Sequence, residues 1–151
     1  FYYSLSQTKI NFMNIYIASS WKNSHGVEML TALLREKGHE VVSWIENNYG
    51  ENHNHVTKKF TFEEWVNSSE SDQSFMFDTR AATDCDLLIY YGPAGKDACA
   101  EMGIAWASGA KIIGLYAKGE DLGLMRKMAT KWFDRYTDLL NHVEKMSYSL
   151  H

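Results

Sequence analysis

Asp86–Tyr116, DLLIYYGPAGKDACAEMGIAWASGAKIIGLY, decides the fold. Leu87–Tyr91 is a short run of bulky apolar and aromatic residues, the composition of a strand buried on both faces. Gly92-Pro93-Ala94-Gly95 is turn chemistry, two glycines around the only proline in the chain. Asp97–Ser108 holds good helix formers, with Gly109 placed to stop it. Lys111–Tyr116 is a second apolar strand. Strand, glycine loop, helix and strand make a βαβ unit, and its loop lies where open α/β sheets bind ligands. Glu101 sits near the start of that helix, on the side of the crevice.

The remaining elements extend this unit on both sides. Asn14–Ala18 reads as a first strand, followed by the polar loop Ser19-Ser20-Trp21-Lys22-Asn23. Gly26–Lys37 carries Val27, Leu30, Leu33 and Leu34 at helical spacing and ends at Gly38. Glu40–Trp44 is a second strand, and residues 45–60 form a polar loop without period. Thr61-Phe62-Glu63-Glu64 matches a capping box that opens a helix through Trp65. A polar break over Ser68–Ser74 precedes a helical stretch that turns Phe75, Met76, Thr79 and Ala82 to the core. Glu120–Ala129 reads as a helix, Lys131–Asp134 as a last strand, and Thr137 as the cap of a closing helix through Met146. Trp44, Trp65 and Trp106 read most simply as core residues, though one could stack on a base. Five strands alternating with helices predict a flavodoxin-like α/β domain: a doubly wound parallel sheet of order 2-1-3-4-5. Strands one and three then meet at the switch point, and the loops Ser19–Asn23 and Gly92–Lys96 face each other across one crevice.

Composition narrows the function. A chain of 151 residues with 45% hydrophobic content suits one domain, and no apolar stretch approaches membrane-spanning length. The formal net charge of −4 and the lack of a basic stripe argue against nucleic acid and membrane partners. Cys85 and Cys99 lack metal-ligand spacing, and a reduced, cytoplasmic setting is the default. His53 and His55 have no third ligand nearby, so no metal site is expected. Residues 1–12 read as an N-terminal extension, native or added, with the domain running over residues 13–151 from Met13.

Two carboxylates from distant segments converge on the crevice, Glu101 after the third strand and Asp78 from the helix feeding into it. One carboxylate attacking an anomeric carbon and a second holding the sugar or managing the leaving group's proton is glycosidic-bond chemistry. A solvated helix glutamate is the plain alternative for Glu101, and a helix N-cap is the favoured reading of Asp97. Ser19, Ser20, Trp21 and Lys22, with Gly92 and Gly95 opposite, offer hydroxyls, backbone N–H groups and one cation to a phosphate or sugar.

These residues also carry a resemblance. IYIASSWKN, then a helix and GHEVVSW, resembles the opening of the nucleoside 2-deoxyribosyltransferase-like superfamily, in particular small members with an A-S-S-W-(R/K)-N start. Residues 77–116 resemble its later block: an aspartate, seven residues, a second aspartate, an apolar strand, a glycine loop and E-x-G. The resemblance spans about Met13 to Met146. It implies that Glu101 is the nucleophile, that Asp78 contacts the sugar or assists the leaving base, and that Tyr16 orients the nucleophile. Ser20 and Lys22 match the phosphate-holding serine and arginine of the branch that hydrolyses deoxynucleoside 5′-monophosphates. Gly95 stands where the transferases place a base-binding aspartate, and Ser19 where a glycine is usual. A nucleoside or nucleotide substrate, no cofactor and a homodimer or higher homo-oligomer are implied. NAD or an ADP-ribose compound as substrate, a nucleotide-binding module without turnover, and a flavin domain are the alternatives.

Overall fold

The computed structural model describes residues 9–49 and 61–149. Five parallel strands form the central sheet: β2 (Asn14–Ser19), β3 (Glu40–Val42), β4 (Leu87–Tyr91), β5 (Lys111–Leu115) and β6 (Lys131–Phe133). Their spatial order is β3-β2-β4-β5-β6, the expected 2-1-3-4-5 when the parallel strands are counted alone. Ile15–Ala18 pair with Leu87–Tyr90, which pair in turn with Lys111–Gly114. Ile15, Ile17, Leu87–Ile89, Ile112 and Ile113 are buried, as strands covered on both faces must be.

α4 (Ser69–Asp84) and α5 (Lys96–Ala107) pack together on one face. α1 (Ser24–Glu36) and α6 (Tyr136–Ser147) cover the other. Lys37 meets Glu144 at 3.6 Å, and the buried His39 joins Ser147 at 3.1 Å while accepting from Met13 N. Val27, Leu30 and Leu34 give α1 its buried stripe, and Gly38 beyond it takes φ +93°. A small antiparallel pair, β1 (Lys9–Ile10) with β7 (Tyr148–Ser149), lies outside the central sheet. Residues 9–12, assigned from sequence to an extension, are thus tied to the end of α6, with Asn11 N donating to Ser147 O at 2.7 Å.

Several local expectations are corrected. The second strand stops at Val42, because the Ser43 hydroxyl accepts from Glu46 N and starts α2 (Trp44–Tyr49) inside the supposed loop. Residues 50–60 of that loop, with His53 and His55, lie outside the described residues. The capping box is present, with Thr61 and Glu64 bonded reciprocally at the head of α3 (Phe62–Val66). No break follows over 68–74: Ser68 caps α4, so the serine-rich run forms its first turns. On α4 it is Ala81 and Ala82, with the partly buried Phe77, that face the core, while Phe75 and Met76 are exposed. Trp44 is buried, but Trp65 and Trp106 stand at the surface. The helix expected over Glu120–Ala129 shrinks to a 3-10 turn at Leu124–Met128, since Gly119 and Gly123 adopt positive φ. Thr137 lies inside α6 and Arg135 precedes it, without a side-chain cap.

Candidate active site

β2 and β4 are neighbours whose following segments leave in opposite directions, which opens a crevice at their carboxyl ends. The strand period turns Tyr16 out of the sheet beneath this crevice, and its ring is fully buried. From there the Tyr16 hydroxyl donates to Asp78 Oδ1 at 3.3 Å, with the Glu101 carboxyl beside it. Asp78 comes from the third turn of α4 and Glu101 from the second turn of α5. One hydroxyl thus stands beside two acids from two helices.

The acids form part of the walls of two adjoining cavities. One, about 240 Å³, is the more polar of the two and bounded by Ser19, Ser20, Trp21, Gly95 and Asp97. The other, about 340 Å³, is apolar, with Phe62, Trp65, Val66, Phe75 and Ile104 around Asp78 and Glu101. Both carboxyls are half-buried. Burial, together with the Asp78 charge, pushes Glu101 up to about 8, while the hydrogen bond from Tyr16 works in the opposite direction. Burial pushes Asp78 up to about 6, with Tyr16 opposing and Asp97 adding a little. Burial first, and then the two neighbouring acids, hold the Tyr16 phenol far above its ordinary range, so it remains a donor at all working pH. Between about pH 6 and 8 the pair therefore holds one proton. Such a pair can present a carboxylate and an acid at once.

The other sequence candidates divide. Ser20, Trp21, Gly95 and Asp97 line the polar cavity. Ser19 lines it too, although its hydroxyl donates to Tyr91 O at 2.7 Å and accepts from Asn23 at 3.0 Å, bracing one loop against the other. Asp97 is not the cap of α5: Gly95 occupies that position, and Asp97 falls in the first turn. Lys22 and Gly92 are not in either wall. Gly92 instead packs under Glu120, whose carboxylate any Cβ there would overlap.

Sequence reasoning missed Ser74 and Lys96, which share the polar cavity's wall with Trp44 and Trp65, two of the tryptophans read as core with stacking on a base as the alternative. It also missed two residues that set the loops. Asn23 donates to Pro93 O at 2.7 Å, clasping the crevice across the sheet. Glu120 accepts from Tyr90 Oη at 2.6 Å, Ala94 N at 3.2 Å and Ala117 N at 2.9 Å. Asn23 ends the quoted opening motif, a signal that could have marked it; nothing local singles out Glu120. Among the described residues, no group of three or more His, Cys, Asp or Glu side chains is arranged to hold a metal ion.

Solved structures with this architecture can be compared directly. The CMP N-glycosidase BcmB of Clostridium botulinum superposes with a TM-score of 0.56 at 22% identity, over 86% of this chain and 97% of that one. A 2-deoxyribosyltransferase from Bacillus psychrosaccharolyticus gives 0.65 at 21% identity, over 85% and 90%. A conserved protein from Enterococcus faecalis V583 gives 0.58 at 16%, over 89% and 99%. The chain shares their fold. No family profile and no curated protein matches it. At these identities the likeness is one of fold, and it agrees with the fold that the sequence resemblance implies.

Proposed function

We propose that the chain cleaves or transfers the N-glycosidic bond of a nucleoside or nucleoside 5′-monophosphate, with Glu101 as nucleophile. One observation carries this reading: two half-buried carboxyls, Asp78 and Glu101, meet over the hydroxyl of Tyr16 in a cavity at the sheet's switch point. The named activities of two proteins of the same fold, an N-glycosidase and a deoxyribosyltransferase, support it.

The chemistry balances without a cofactor. A Glu101 oxygen bonds to C1′ as the bond from C1′ to the base breaks. The base leaves with the electron pair and takes the proton that the acid pair held. Positive charge building on the sugar favours the ionised form of both acids, so the proton is released as it is needed. Water, or a second base, then takes the sugar from Glu101, and the proton returns to the pair. Tyr16 steadies both carboxylates, and Asp78 holds the sugar or passes the proton.

The test is to incubate the protein with nucleosides, 5′-monophosphates and NAD and to follow free base by chromatography. Release abolished by Glu101→Gln and cut by Asp78→Asn is expected. Release that persists undiminished in Glu101→Gln removes the nucleophile.

A further inference from the structure

The walls around Asp78 and Glu101 have a chemistry that the general reading does not use. Asp97 joins the two acids in both cavities and Asp72 adds a fourth carboxyl to the apolar one, while among the described residues Lys96, in the other, brings the one ammonium. Three indoles share the polar cavity's wall: Trp21, Trp44 and Trp65. Trp44 is held by donating Nε1–H to Ile17 O at 2.8 Å, and Trp21 meets it edge to face at 4.7 Å. Trp21 and Trp65 remain 46% and 45% exposed, so they can still cover a ligand. Trp65 belongs to both cavities and stands beside the acids.

Carboxylates attract positive charge, and so does the negative face of an indole. A neutral ring gains only stacking from such walls, whereas a cationic ring gains stacking and attraction together. A phosphate, by contrast, brings further negative charge towards three acids. We propose that this cavity receives a cationic heteroaromatic ring, so that the N-glycoside it takes carries positive charge on the departing base, as pyridinium and N-alkylated purine nucleosides do. The glycoside part of this inference rests on the function proposed above; the preference for a cationic ring does not.

The inference also meets a requirement of the reaction. Glu101 must be ionised to attack, yet burial and Asp78 hold its proton at neutral pH. A cation bound beside the pair reverses that balance and sends the proton to solvent before chemistry begins. Glu101 then bonds to C1′, the bond to the base breaks, and the base leaves as a neutral molecule that needs no proton. Water hydrolyses the ester, giving the free sugar, the Glu101 carboxylate and one proton.

The probe is 1-methylnicotinamide against nicotinamide, rings that differ by a methyl group and the charge, titrated calorimetrically in two buffers of different ionisation enthalpy. The cation should bind at least about tenfold more tightly, with net proton release. Trp65→Leu and Asp97→Asn, both at exposed positions, should each weaken it several-fold, and Trp65→Phe should restore part of the loss. Equal or weaker binding of the cation, or no proton release, overturns the proposal. In a turnover arm, nicotinamide riboside and 7-methylguanosine should exceed uridine, cytidine and their 5′-monophosphates in kcat/KM. Glu101-dependent release that favours the neutral bases overturns the inference and leaves the glycosidic reading standing. Failure to cleave any N-glycoside overturns that reading, and the ring titration then decides the cavity's preference alone.

Discussion

Tyr16→Phe is the sharpest probe of the acid pair. The ring is fully buried in β2, and phenylalanine fills the same volume, so the substitution removes one hydroxyl without opening a cavity. That hydroxyl donates to Asp78 at 3.3 Å with Glu101 beside it, and its proton favours the ionised form of either acid. The bond is long for O–H···O, so the low end of the charged hydrogen-bond range applies, about 1.5 kcal/mol. Since one pKa unit is about 1.4 kcal/mol and the phenol has one proton to give, the two ionisations together should rise by about one unit. The limbs expected near pH 6 and 8 in the wild-type profile of kcat/KM should both move upward. Carboxyl-carbon NMR of Asp78 and Glu101 reads the same shift without any substrate. Ionisations that stay in place or fall would show that Tyr16 does not hold the two carboxylates.

Three further outcomes follow from the geometry. Glu101 has its folded-state pKa raised from 4.5 to about 8, so its contribution to stability is complete below pH 4.5 and is lost as pH rises through 8. Glu101→Gln should therefore melt progressively above wild type as pH increases, by about 2–4 °C for each kcal/mol relieved; a pH-independent difference in Tm contradicts this. Glu120→Ala leaves Tyr90 Oη, Ala94 N and Ala117 N without their acceptor, and should cost about 1–3 kcal/mol in urea unfolding. Glu120→Gln, which keeps one oxygen, should recover part of that, and equal losses would argue against the hydrogen bonds. His39 accepts from Met13 N while burial lowers its pKa below 6.5, so its stabilisation is present above 6.5 and fades as pH falls through the folded value. His39→Gln should flatten the acid limb of stability, measured by denaturant midpoints; an unchanged limb assigns that loss to other groups.

The architecture was legible because its evidence is local. Leu87–Tyr91, the glycine loop, the helix and Lys111–Leu115 each declare themselves by composition and stop signals, and the sheet order follows from their alternation. Where side chains act over long range, the local reading failed. Glu120 looks like a helix start, yet its carboxylate is taken by the loop after β4, and Gly119 and Gly123 turn the chain. Ser68 looks like a break and is a cap. Trp65 and Trp106 look like core by residue type, but their helices present them to the surface. In the site, Tyr16, Asp78 and Glu101 were legible through motif resemblance, and the structure brings their side chains together. Lys22 and Asn23 stand side by side in the quoted motif, and the resemblance gave a site role to Lys22 alone. Only the fold shows that Asn23 clasps Pro93 while Lys22 lies outside both cavity walls.

What separates the Asp78–Glu101 pair from the other acids is how each charge is compensated. Glu46 accepts two hydrogen bonds from Arg35, at 2.6 and 2.9 Å, and that contact holds it below the ordinary carboxylate range. Glu120 sits among three donors and fixes a loop. Asp86 accepts from Asn14 N at 2.8 Å at the entrance of the sheet. Each of these is satisfied where the fold needs it. Asp78 and Glu101 are half-buried beside each other, no salt bridge reaches either among the described residues, and they share one phenol. A fold gains nothing from that arrangement, because burial and mutual repulsion both oppose it. Substituting either acid by its amide should leave the fold intact or stabilise it, which is the behaviour of residues kept for chemistry at a cost to stability. If Asp78→Asn and Glu101→Gln both unfold the protein, the pair is a structural tie, and the case for an active site at this crevice fails with it.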